Sequence, residues 1–175
     1  VLTGQVNPSG KLPITIPQHE GQLPLSYWHE PTGRGNDYVN GTGEPLYPFG
    51  HGLSYTQFEY HDLKIEQTSM GSNDTLNLSF TIQNTGAYPG DEALQFYIKP
   101  IYSSESLPVH YLIRTEKTRL KNGETNRYLH YKIPVAALGI PTGPKSTALP
   151  TQFYLQIGAS SKDIRLQSPV ITLSE

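Results

Sequence analysis

Residues Leu76-Asn77-Leu78-Ser79-Phe80-Thr81-Ile82-Gln83 alternate apolar and polar side chains without a break. A period of two belongs to a strand with one face in a core and the other in water. The alternation returns at Leu94, Phe96 and Ile98, with Gln95, Tyr97 and Lys99 facing outward, until Pro100 withholds a ladder donor. It appears again at Phe153, Leu155 and Ile157, with Tyr154 and Gln156 outward, and Gly158 ends it. Weaker strand patterns cover residues 63–67, 112–120, 128–133 and 164–173. About seven short strands separated by turn signals predict an all-β fold, an antiparallel β-sandwich of the fibronectin III or immunoglobulin sort. Lys121-Asn-Gly-Glu124 reads as a hairpin turn joining two of these strands, because Asn and Gly tolerate positive φ. Residues 103–110, which are polar and contain Pro108, read as a crossing between sheets. Residues 135–150 read as a long surface loop with a possible helical turn at Ala136-Ala-Leu138.

Outward from that core the composition changes. Residues 1–50 hold seven Pro and eight Gly, whereas residues 51–175 hold eight of each. The first stretch has no periodic apolar face, apart from one short strand expected at residues 12–16, and cannot build a core by itself. It must pack on something else or move. Pro45-Leu-Tyr-Pro-Phe-Gly-His-Gly-Leu-Ser-Tyr-Thr56 is irregular in backbone yet rich in large anchors, Tyr47, Phe49 and Tyr55. That combination predicts a fixed elbow.

Composition removes several functions. The formal charge is −2 with a pI near 6.3, and Lys and Arg are scattered, so nothing draws the chain to nucleic acid or an anionic membrane. The chain has no cysteine, which excludes a disulfide scaffold and thiolate chemistry. No apolar run reaches membrane-spanning length. The chain opens on Val1 without a Met or a signal peptide, as a segment of something longer would. Asn40-Gly-Thr42, Asn73-Asp-Thr75 and Asn77-Leu-Ser79 are glycosylation sequons. The six histidines show no metal spacing, no serine sits in Gly-x-Ser-x-Gly, and no glycine set forms a dinucleotide or phosphate loop. No cofactor or metal is expected.

The ordered set Asn7-Pro-Ser-Gly-Lys-Leu-Pro13, Gly21-Gln-Leu-Pro24, Pro31-Thr-Gly-Arg34, Pro45 to Thr56, Asn84-Thr-Gly86, Gln95-Phe-Tyr97 and Gly158-Ala-Ser-Ser161 with Asp163-Ile-Arg-Leu166 resembles the C-terminal region of glycoside hydrolase family 3. The family comprises β-glucosidases and β-xylosidases. The resemblance implies that residues 1–56 are the tail of an α/β sandwich domain plus an interdomain elbow. It also implies that residues 57–175 are a fibronectin III-like domain. The chain departs from the family pattern at His51, where Tyr is usual, at Thr115, where Phe is usual, and at Leu149-Pro-Thr151, where the hairpin normally carries Pro-Gly.

Retaining enzymes of this kind need two carboxyl groups about 5 Å apart. The resemblance places both upstream of Val1, so no catalytic residue is expected in this chain. Its fifteen carboxylates read as solvated loop charges or caps, and Asp91-Glu92, after a Pro-Gly turn, as surface. Residues weighed as substrate-adjacent are Tyr27, Trp28, Arg34 and His51. Tyr27-Trp-His29 is the best candidate for a sugar-stacking platform, but rings packed at a domain interface are the preferred reading. His51 reads first as a half-buried elbow residue.

The expected role is a non-catalytic, interdomain stabilising segment of a secreted or periplasmic β-glycosidase. Its partners would be that enzyme's other domains, with β-linked oligosaccharide engaged only by the full enzyme. The alternative is a carbohydrate-binding or adhesion module. Self-association through an apolar patch left by a missing neighbour is a third expectation.

Overall fold

In a computed structural model the described residues are 1–31, 43–121, 124, 127–143 and 146–174. The fold is an all-β sandwich. One layer has three strands in the order β1 (Phe58–Ile65), β3 (Thr75–Asn84), β6 (Arg127–Pro134), all antiparallel. The other has six, with the path β2 (Ser69–Gly71), β11 (Ile171–Ser174), β9 (Gln152–Gly158), β4 (Gly90–Tyr102), β5 (Tyr111–Leu120), and with β10 (Ile164–Gln167) also paired to β9. A small ribbon of β7 (Ile140–Gly143) and β8 (Ser146–Ala148) stands apart.

The alternating stretches fill the space between the layers. Leu76, Leu78, Phe80 and Ile82 from β3 meet Leu94, Phe96 and Ile98 from β4 and Phe153, Leu155 and Ile157 from β9, all essentially without exposure. Phe80, Phe96 and Tyr131 form an aromatic centre, with Phe96 and Tyr131 edge to face at 4.8 Å and Phe80 stacked on Tyr131 at 5.8 Å. Such pairs add to what area burial alone contributes.

Four local readings are corrected by the topology. Among the described residues there are eleven strands where about seven were expected, because three-residue and four-residue pieces carry no periodicity a window can detect. The 164–173 stretch is two strands, β10 and β11, which share one edge of β9. Between them the Ser168 hydroxyl accepts the Leu155 N–H at 2.9 Å and donates to Pro169 O at 2.7 Å, replacing ladder bonds. Lys121-Asn-Gly-Glu124 does turn, with Glu124 N donating to Lys121 O at 3.1 Å. However, the strands it joins lie in different layers, so it is a crossing and not a hairpin; Asn122 and Gly123 lie outside the described residues. Conversely, residues 103–110 connect β4 and β5 within one sheet. The supposed surface loop at 135–150 holds a 3-10 turn at Val135–Leu138 and the β7–β8 ribbon, and it buries Val135, Leu138 and Ala148 completely or nearly so.

Among its described residues the N-terminal segment contains a 3-10 turn at Glu20–Gln22 and no strand. The expected strand at 12–16 reduces to one bridge, Ile16 with Tyr47, flanked by Leu12 N to His51 O and Gly50 N to Leu12 O, both 2.8 Å. Residues 12–16 and 46–51 thus run side by side as a ribbon. This arm lies across the outer face of the large sheet. The arm explains why Gln95 and Tyr97, expected to face water, are 2% and 0% exposed. β5 slips register opposite Phe96 and Tyr97, and Thr115 is exposed beside it, where the usual Phe is missing.

Candidate functional site

The arm is attached by polar bonds between residues distant in sequence. Gln95 Nε2 donates to Gly50 O at 3.1 Å and to Ala159 O at 2.8 Å, while its Oε1 accepts the Tyr97 hydroxyl. Gly50 is at φ +79°, and a Cβ there would fall 2.0 Å from Gln95 Oε1, so only glycine fits. Ser161 N donates to Phe49 O, and Val109 N to His29 O, both at 2.9 Å. Asn7 donates to Pro89 O at 3.0 Å and accepts from Ser54 Oγ and Tyr55 N, bracing the start of the arm against the end of the elbow. Asn84 continues the seam by accepting the Thr56 hydroxyl at 2.6 Å and donating to Tyr88 O at 2.7 Å.

Where the arm, β1, β4 and β10 meet, a cleft of about 700 Å³ opens. Glu92 lies at its floor with a side chain only 5% exposed, which overturns its reading as a surface carboxylate. Its Oε1 accepts the Tyr60 hydroxyl at 2.8 Å and sits 3.6 Å from Arg165 Nη1; its Oε2 is 4.0 Å from Lys11 Nζ on the arm. Arg165 grips Asp163 through Nε and Nη2, donates Nη1 to Phe58 O at 2.9 Å, and stacks over the Tyr60 ring at 4.8 Å. Desolvation works against the Arg165 charge, but Asp163, Tyr60 and Glu92 outweigh it and raise its pKa. Burial first, then the Glu92 charge, pushes the Tyr60 phenol well above its usual range. Each of these groups is engaged with another, so the network ties four chain segments together. Glu92 is the one buried carboxylate of this cleft, whose lining also includes the more exposed Glu59, Asp91 and Asp163.

The sugar-platform residues separate. Tyr27 turns inward, stacking on Phe49 at 4.1 Å, edge-on to Tyr97 at 6.2 Å and beside His110 at 5.7 Å. Burial lowers the His110 pKa to about 4, helped by Lys162, His29 and Lys99. Trp28 turns the other way and is 51% exposed. His51 is half-buried and stacked on Tyr47 at 4.9 Å, beside the cleft but remote from Trp28's surroundings. Arg34 lies outside the described residues, as does Asn40. Of the elbow anchors only Phe49 is well tucked in; Tyr47 and Tyr55 remain 44% and 48% exposed.

That exposure is part of a pattern. Ten of the fifteen exposed large apolar side chains among the described residues fall in the first 55 positions, including Val6, Ile14, Leu23, Leu46 and Leu53. The arm therefore presents apolar groups outward while its other side is bonded to the sandwich. Among the described residues no group of His, Cys, Asp or Glu is arranged to hold a metal ion, and no helix is long and apolar enough to cross a membrane.

Comparison with known proteins agrees with this arrangement. Residues 1–55 match the Glycosyl hydrolase family 3 C-terminal domain. A Formosa agariphila protein named β-xylosidase is 36% identical over 99% of the chain, which spans 24% of that protein. A Salmonella typhimurium periplasmic β-glucosidase is also 36% identical, over 94% of the chain and 23% of its own length. The solved β-glucosidase EmGH1 from Erythrobacter marinus superposes with a TM-score of 0.89 at 36% identity, covering 99% of this chain and 23% of that one. The chain thus spans about a quarter of the length of each of these relatives.

Proposed function

The chain belongs to the C-terminal region of glycosyl hydrolase family 3, and on that premise we propose that it is the non-catalytic, interdomain segment of a β-glycosidase acting on terminal β-glucosides or β-xylosides. Residues 1–56 are the tail of the preceding α/β domain and the elbow; residues 57–175 are the fibronectin III-like domain. The observation that carries this reading is the two-sided arm, hydrogen-bonded inward through Gly50, Phe49 and Asn7 and apolar outward through Val6, Ile14, Leu23 and Leu46. The partner fitting the outward side is the enzyme's own upstream domain. The sandwich braces that domain, with Glu92 facing Lys11 of the arm across the seam.

Tyr27 supports the elbow from beneath, while His51 belongs to the surface turned toward the other domains. The intact enzyme is secreted or periplasmic, a placement supported by the Salmonella relative's name. Freed of its neighbours, the chain self-associates through the same apolar surface.

The purified chain, cleared of host glycosidase, is expected to leave aryl β-glucosides and β-xylosides uncleaved. It is also expected to bind a hydrophobic dye that the intact enzyme does not bind. Turnover by the chain alone would overturn the reading.

A further inference from the structure

We propose that the cavity beside Trp28 is a subsite for one pyranose ring of a neutral β-linked oligosaccharide, an inference that rests on reading the chain as part of a β-glycosidase. The cavity measures about 240 Å³, below the roughly 300–1,000 Å³ of pockets for drug-sized ligands, so it has room for no more than a small part of a ligand such as one ring. Three separate segments build it: Trp28 and Glu30 from the arm, Ser106, Leu107 and Pro108 from the β4–β5 connection, and Ile140 from β7.

Trp28 is held firmly yet left open. Its N–H donates to Ser26 Oγ at 3.2 Å, and the next residue's carbonyl accepts Val109 N–H at 2.9 Å, clamping the backbone on both sides. The indole nonetheless remains half exposed, although Tyr27 beside it is tucked inward. Leu107 and Pro108, both buried, form a dry wall. An apolar wall and an exposed indole suit the C–H face of a pyranose, because an aromatic face combines large apolar area with few rotatable bonds. Glu30 and Ser106, both exposed at the rim, accept from and donate to ring hydroxyls. The Glu30 carboxylate disfavours an anionic sugar.

Trp28 is the only tryptophan, so its fluorescence reports occupancy directly. Titration of the chain with cellobiose, laminaribiose and xylobiose at millimolar concentrations is expected to give a saturable change with at least one of them. By calorimetry, Trp28→Ala should weaken binding at least about tenfold and Glu30→Gln about threefold, each with an unchanged unfolding midpoint. A flat titration, or unaltered affinity in Trp28→Ala, overturns the subsite. Product analysis of the same samples separates the two readings. Hydrolysis refutes the non-catalytic assignment, whereas a flat titration without hydrolysis refutes this subsite alone and points to Trp28 as a domain contact.

Discussion

Replacing Glu92 by Ala tests the seam between arm and sandwich. The substitution leaves the Tyr60 hydroxyl, on a residue 6% exposed, without its acceptor at 2.8 Å. A hydrogen bond to a charged group contributes about 1.5–3 kcal/mol. The contacts to Arg165 at 3.6 Å and Lys11 at 4.0 Å are longer and partly solvated, and together add about 1 kcal/mol. The expected loss is about 3 kcal/mol, within the range seen when one member of a buried ion pair is removed. In a chain of this size that lowers the thermal midpoint by roughly 6–12 °C. Glu92→Gln keeps an acceptor for Tyr60 and should lose about half as much. A double-mutant cycle with Tyr60→Phe should show the two losses to be strongly non-additive. Circular dichroism melts combined with urea titrations measure all three. If Glu92→Ala loses less than about 1 kcal/mol, or the cycle is additive, the carboxylate does not hold the seam and the reasoning fails.

Other outcomes follow from single groups. Gly50→Ala forces a Cβ into Gln95 at a positive φ, so it should release the arm while leaving the sandwich folded, read as faster proteolysis within residues 1–56 and unchanged β-sheet dichroism. Ser168→Ala strips the Leu155 N–H of its acceptor in a 4%-exposed position and should cost about 1–3 kcal/mol in urea unfolding. His110 has a folded pKa of about 4, against an ordinary value of 6.5, so the native state favours its neutral form. Its stabilising preference is complete above pH 6.5 and is lost as pH falls from 6.5 toward 4. Because the ring is about one-third solvated, the expected loss is about 1–2 kcal/mol, and His110→Asn should flatten the stability profile across that window.

The sandwich was legible because β3, β4 and β9 bury long alternating rows, and periodicity reports such rows wherever their partners lie. Sheet membership was not legible. Lys121-Asn-Gly-Glu124 has turn chemistry, but turn chemistry is local, and the core decides whether the flanking strands pair or pass to opposite layers. Gln95 and Tyr97 read as outward because the alternation cannot foresee a second covering from Tyr27 and Gly50. Glu92 was misread for the same reason, since the groups that neutralise it come from the arm, β1 and β10. Arg165 occupies an ordinary polar position of the Ile164-Arg-Leu-Gln167 alternation, so nothing local marked it as a partner for Glu92. Tyr27 and Trp28 are adjacent in sequence, and adjacency in extended backbone sends side chains to opposite sides, so a shared platform was the less natural expectation.

β2 has no antiparallel neighbour; it pairs only with β11, in parallel, through Thr172 with Ser69 and Leu173 with Met70. Met70, 1% exposed and part of the core, therefore has its backbone partnered by residues about a hundred positions later. On the ribosome the β1–β3 layer can assemble early, but the rim at Met70 stays open until residues 171–174 have left the exit tunnel. During synthesis the incomplete sandwich thus exposes an unpaired three-residue edge. A chaperone binding nascent chains would meet that edge from its emergence until the last strand arrives.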